Sequence, residues 1–155
     1  MDETIEARLA RMDITLPTAA APAANYLPFV RDGDLLHISG QLPLGAEGLT
    51  CRGRLGDGVS VEEGRKAARL CGINILAQAK AALEGDLERI RRIVKITGFV
   101  ASAPDFTDQH LVINGASDFL AEALGARGRH ARAAVGTVSL PLGAAVVVDA
   151  IIAVA

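Results

Sequence analysis

The sequence predicts an α+β fold, a single mixed β-sheet with two long helices on one of its faces. Three observations predict it. The elements follow one another as ββ-α-β-α-ββ, an order that short, uncrossed connections close into one sheet with helices packed on it. Half of the 155 residues are apolar, yet only 3% are aromatic and none is Trp. Such a core is built from Ala, Val, Leu and Ile, which lets helices lie close on strands. The last strand is apolar on both faces, so both faces must be covered.

At the N-terminus, residues Thr4 to Met12 carry Ile5, Leu9 and Met12 at helical spacing and predict a short amphipathic helix. Leu16 to Ala24 is a Pro-punctuated connector. Two short strands follow, Phe29 to Arg31 and Leu35 to Ser39, with Asp32-Gly33 as their turn. Gly45 to Gly58 holds five glycines and reads mostly as loop. Ser60 with Glu63 three residues on forms a capping-box pattern and opens the longest helix, Val61 to Leu83. Its Ala67, Ala68, Cys71, Ile75, Ala79 and Leu83 make a narrow face of mostly small side chains suited to close packing on a sheet. Arg91 to Ser102 alternates as a strand, Val94, Ile96 and Val100 on one side, Lys95, Thr97 and Phe99 on the other. Pro104-Asp105 is expected to begin the second helix, with Val112, Ala116, Phe119 and Ala123 inward and a stop near Gly125. Two strands close the chain, Ala131 to Ser139 and Ala144 to Val154, separated by Pro141 and Gly143. In the last, Val146, Val148, Ile152 and Val154 point one way and Ala145, Val147, Ile151 and Ala153 the other. Two helices cover only one face, so a second subunit is expected on the other, in a closed symmetric oligomer.

Composition excludes several classes of function. A formal charge of −2 gives no general attraction to phosphate backbones, so no nucleic-acid partner is expected. Cys51 and Cys71 lack CxxC spacing and suggest neither a disulfide framework nor a zinc site. Met1-Asp2-Glu3 is acidic where a secretory signal is basic, and the most apolar tract, Leu142 to Ala155, is too short to span a bilayer and carries Asp149. A cytoplasmic protein without membrane contact is the expectation.

Few residues point to chemistry. His37, among Leu35, Leu36 and Ile38, reads as a hydrogen-bonded structural histidine ahead of a catalytic one, and His110 as exposed. No histidine pair has metal-ligand spacing, and neither a Ser-centred elbow nor a P-loop occurs, so no metal and no cofactor are expected. Gly125 to Arg132 is different, with three arginines and a histidine within six residues at the entry to an apolar strand. Arg127 and Arg129 suit a solvated basic loop. Arg132 does not, because Ala131, Ala133, Ala134 and Val135 around it read as buried. A buried guanidinium needs an anionic partner. Either a structural acid such as Asp149 or a bound ligand fills that role.

Asn25-Tyr26 ahead of Ser39-Gly40-Gln41-Leu42-Pro43, an Asn in the second helix, then Ala131-Arg132 and Leu140-Pro141, together resemble the Rid/YjgF family, also known by the label endoribonuclease L-PSP. The resemblance covers residues 22–155, leaving 1–21 as an N-terminal helix and connector. The forms Asn114-Gly115-Ala116-Ser117-Asp118 and Gly128-Arg129-His130-Ala131-Arg132 mark a divergent branch. The resemblance implies a chorismate-mutase-like α+β fold and a homotrimer with clefts between subunits. It also implies hydrolysis of reactive imines and enamines, such as 2-iminobutanoate and 2-aminoacrylate, to 2-oxo acids and ammonia. Arg132 would then clamp the carboxylate of a small ligand by a bidentate pair, Tyr26, Ser39, Gly40 and Asn114 would line the cleft, and the backbone at Ala134 would contact the imine nitrogen. One counterpart is missing. The acid that orients the hydrolytic water falls at position 147, which is Val147 here, and Asp149 is ~6.6 Å further along the strand. Imine hydrolysis and a non-catalytic metabolite-binding or regulatory trimer therefore both stand. A nuclease is the weakest reading, since the sequence has no metal constellation and little aromatic surface.

Overall fold

The computed structural model describes residues 2–155. Its elements are α1 (Ile5–Arg11), β1 (Phe29–Asp32), β2 (Leu35–Gln41), β3 (Leu44–Gly45), β4 (Gly48–Leu49), β5 (Arg54–Leu55), β6 (Gly58–Val59), α2 (Val61–Ala82), β7 (Ile90–Ala101), α3 (Gln109–Leu124), β8 (Ala131–Thr137) and β9 (Val146–Val154). Five strands form one mixed sheet in the order β1-β2-β9-β7-β8, with β7 and β8 parallel and the other pairs antiparallel. The glycine-rich 45–58 stretch, expected to be mostly loop, contributes to two small ladders, β3-β4 and β5-β6.

Both long helices lie on one face of the sheet, as the order of elements predicts. Burial along β9 alternates strictly, Val146, Val148, Ala150, Ile152 and Val154 against the helices and Val147, Asp149, Ile151 and Ala153 half-buried on the other side. That second face stays open in the single chain and shows Val30, Leu35 and Val135 to solvent. The capping box of α2 forms in full, Ser60 Oγ accepting from Glu63 N–H and the Glu63 carboxylate from Ser60 N–H, both at 3.1 Å. α2 and α3 cross where Gly115 meets the backbone of Arg65 so closely that a Cβ there would overlap its carbonyl. α1 seats Ile5 and Leu9 in the same core, and Ile5 N–H donates to Glu88 Oε2 at 2.7 Å.

Three sequence expectations are corrected. The first hairpin turns at Gly33-Asp34, one residue later than expected, because Asp32 still pairs with Leu35. α3 begins at Gln109 instead of Pro104. Phe106, packed against the core, ties Ala103 to Gln109 through its own N–H and C=O, which holds 103–107 as a turn. In β7 the simple alternation fails at Val94, which is 39% exposed while Ile93 is fully buried. Two bulges, at Arg91 and Val94, each insert a residue against β9 and reset which side chains face inward.

Candidate functional site

β8 is an edge strand, so the alanines and valine around Arg132 are less buried than their composition suggests, and Val135 is 42% exposed. Arg132 lies opposite Ile96, which in turn lies opposite Ala150, and Ile96 and Ala150 are on the buried, helix-covered face. The half-buried Arg132 side chain reaches α3. Its Nη1 donates to Asn114 Oδ1 at 2.9 Å and Ser117 Oγ at 3.1 Å, and Nη2 to the His110 carbonyl at 3.0 Å. The three partners sit at helical spacing, so one face of α3 presents all of them. Among the described residues no carboxylate pairs with Arg132. A guanidinium has five N–H donors, and three are engaged here. The Nε–H and one Nη2 hydrogen have no partner among the described residues.

Asp149, the alternative internal partner, is overturned. It lies opposite Thr97 on the open face, with the sheet between it and Arg132. Burial pushes its carboxyl above the usual range, against hydrogen bonds from Thr97 and the charge of Lys95. Ala134 follows Arg132 on the same side of β8, opposite Gly98. On an edge strand such as β8 half the backbone groups lack a strand partner.

The other predicted residues lie elsewhere. Ser39 Oγ donates to the Leu27 carbonyl at 2.7 Å, and Gly40 sits in a bulge of β2 where a Cβ would come 2.8 Å from Val147 Cγ1. Gly40 and Tyr26, itself half-exposed, border a shallow hollow with Ala20, Gln41 and Gln78. Position 147 thus adjoins Gly40, with an aliphatic side chain at the position where the resemblance leads one to expect an acid. Arg132 on β8 is separated from Ser39 and Gly40 on β2 by three strand spacings, about 14 Å across the sheet, and from Val147 on β9 by two, about 10 Å. One chain therefore brings together Arg132 with Asn114, and Gly40 with Tyr26 on one side and Val147 on the other, but not the two groups with each other.

His37 is exposed on the open face and makes no hydrogen bond among the described residues, which corrects the structural-histidine expectation. Its side chain alternates away from the helices between buried Leu36 and Ile38. His110 is exposed, as expected, and contributes only its carbonyl. Sequence reasoning missed Ser117 as a site residue. Its spacing of three from Asn114, one helical turn on the same face, is the feature that could have found it. No helix is long and apolar enough to cross a membrane, and no cluster of three metal-ligating side chains occurs among the described residues.

Comparison with known proteins agrees with this architecture. The family model described as "YjgF/chorismate_mutase-like, putative endoribonuclease" matches residues 6–153. Protein TCP17 of Trypanosoma cruzi is 50% identical over 149 residues, covering 96% of this chain and 92% of that one. The crystal structure of protein Atu1372 from Agrobacterium tumefaciens, of unknown function, is 54% identical over 97% of this chain and 92% of that one, with a TM-score of 0.91. A structure named as a putative endoribonuclease from Shewanella oneidensis is 34% identical over 98% and 100% of the two chains, with a TM-score of 0.94. With the sheet order, the helices on one face and the Ser-Gly-Gln and Ala-Arg motifs in place, the chain belongs to the YjgF/chorismate-mutase-like family.

Proposed function

We propose that this protein binds small 2-imino, 2-oxo or enamine carboxylates at Arg132, in clefts between the subunits of a homotrimer, and hydrolyses the imines and enamines to 2-oxo acids and ammonia. The observation that carries the reading is Arg132 itself. It is a half-buried guanidinium steadied by three neutral oxygens, without an acidic partner and with two donors free among the described residues. A bidentate carboxylate is the natural complement of that edge. The ~14 Å separation of Arg132 from Ser39 and Gly40 supports a shared cleft, since Arg132 stands on edge strand β8, where a neighbouring copy docked along that edge can supply the second group.

Val147 favours a second reading, a trimer that binds such acids without turning them over. A valine beside Gly40 neither orients nor deprotonates water. One set of measurements tests both readings: molar mass by light scattering, affinity for 2-oxobutanoate by calorimetry, and ammonia release from 2-iminobutanoate generated in situ. A trimer that binds and releases ammonia above the spontaneous rate supports hydrolysis, while binding alone supports the second reading. A monomer at micromolar concentration, or no binding, refutes both.

A further inference from the structure

Next to the anchor stands a second constellation with chemistry of its own. Ser117 of α3 and His130, at the entry to β8, meet with Oγ 2.9 Å from Nε2. His130 Nδ1 lies 2.6 Å from the Gly128 carbonyl. A carbonyl only accepts, so Nδ1 carries a proton, and in the neutral ring Nε2 accepts from the Ser117 hydroxyl. The ring is neutral near pH 7, because burial pushes His130 below the ordinary imidazole value; the Gly128 contact opposes this and the Arg132 charge adds to it. Arg132 Nη1, 3.1 Å from Ser117 Oγ, stabilises negative charge on that oxygen. Asn114 accepts from Arg132 through Oδ1, and its amide N–H groups make no hydrogen bond among the described residues.

A hydroxyl within reach of a base, the base oriented by a third group and a cation beside the oxygen are the parts of an activated serine. His130 is only about half-buried and borders a surface hollow with Arg92, Ile93, Val94 and Arg129. A reactant can therefore approach His130, and Ser117 beside it is half-buried and not enclosed. Arg92 and Arg129 are exposed and form no ion pair among the described residues, so the approach is positively charged.

We propose that Ser117 is a nucleophile and His130 its general base in an acyl-transfer site for esters or thioesters of small, negatively charged acids. Ser117 Oγ attacks the acyl carbon as its proton passes to His130 Nε2, and the carbonyl π pair moves to oxygen beside Arg132 and Asn114. Collapse breaks the bond to the alcohol or thiol, which leaves with the proton from His130. Water then attacks the acyl-serine, its proton again passing to His130. The second collapse frees the acid and returns the proton to Ser117.

The test uses the 4-nitrophenyl monoester of succinate as an anionic acyl donor, with release of nitrophenol followed optically and the acylated residue located by peptide mass mapping. Wild type should carry the acyl group on Ser117, and Ser117→Ala none at that position. His130→Gln keeps a side-chain acceptor for the Ser117 hydroxyl, so a merely structural contact survives it. Loss of the base should slow acylation ~100-fold. The wild-type rate should climb with pH and level off, with its midpoint below the ordinary imidazole value. The charged groups around His130 are Arg92, Arg129, Arg132 and, beside Ser117, Asp118, whose carboxylate is 3.9 Å from Arg65. Absence of acylation at Ser117 in wild type, or equal rates in wild type and His130→Gln, overturns the proposal. Calorimetry with 2-oxobutanoate on the same samples reports separately on carboxylate anchoring by Arg132.

Discussion

Replacing Arg132 with Ala separates an anchor for ligand from a brace for the fold. In the binding role, the substitution removes the two donors, Nε–H and one on Nη2, that a carboxylate would take. Hydrogen bonds to charged groups contribute about 1.5–3 kcal/mol each, so affinity should fall by about 3–6 kcal/mol, or roughly 10²- to 10⁴-fold. In the structural role, three contacts to Asn114, Ser117 and the His110 carbonyl are lost. Asn114 and Ser117 are half-buried and His110 is exposed, so water re-solvates much of what is left. That cost is about 1–2 kcal/mol, a drop in Tm of roughly 2–8 °C. The assay pairs calorimetric titration of 2-oxobutanoate with a thermal melt and light scattering. Undetectable binding by a folded variant of unchanged oligomeric state is the expected result. An unchanged Kd, or a chain that unfolds or dissociates, would refute the anchor role.

Other expectations follow from the same geometry. Val147→Glu puts a carboxylate beside Gly40, so ammonia release from 2-iminobutanoate should rise well above wild type in a folded trimer; equal rates would mean position 147 plays no part in holding water. Gly115→Ala forces a Cβ into the Arg65 backbone at the α2–α3 crossing, and should cost about 3 kcal/mol or more, read as a Tm lower by roughly 6–12 °C. A wild-type Tm would count against that packing. His130 holds its proton less tightly in the native state than in the unfolded chain, whose ordinary imidazole value is 6.5. The stability tied to its neutral form is thus present above that value and lost as pH falls through the lowered native one. Wild type should lose more Tm than His130→Gln between about pH 7.5 and about pH 5, and parallel losses would contradict this. Thiol reagents should label Cys51 in the native protein and spare Cys71, which is fully buried and whose thiol burial holds far from ionisation.

Read alone, the sequence determined the class and order of the elements, because both rest on local patterns. The capping box at Ser60 and Glu63, the apolar spacing of Val112, Ala116, Phe119 and Ala123, and the two-sided apolarity of β9 are written in neighbouring residues, and the structure realises each. Ser39-Gly40, Ala131-Arg132 and Leu140-Pro141 sufficed for the family. Tertiary structure decided what depends on strands meeting across the sheet. The bulges at Arg91 and Val94 exist only in the register of β7 against β9, so no period within β7 could reveal them. A buried Arg132 left Asp149 or a ligand as its anionic partner, yet the pairing of Thr97 with Asp149 and Ile96 with Arg132 puts the two side chains on opposite faces. The meeting of Ser117 with His130 depends on how α3 docks along edge strand β8, a contact between residues 13 apart in the chain. Side-chain character fixes which face of an element turns inward; the packing of whole elements decides which side chains then meet.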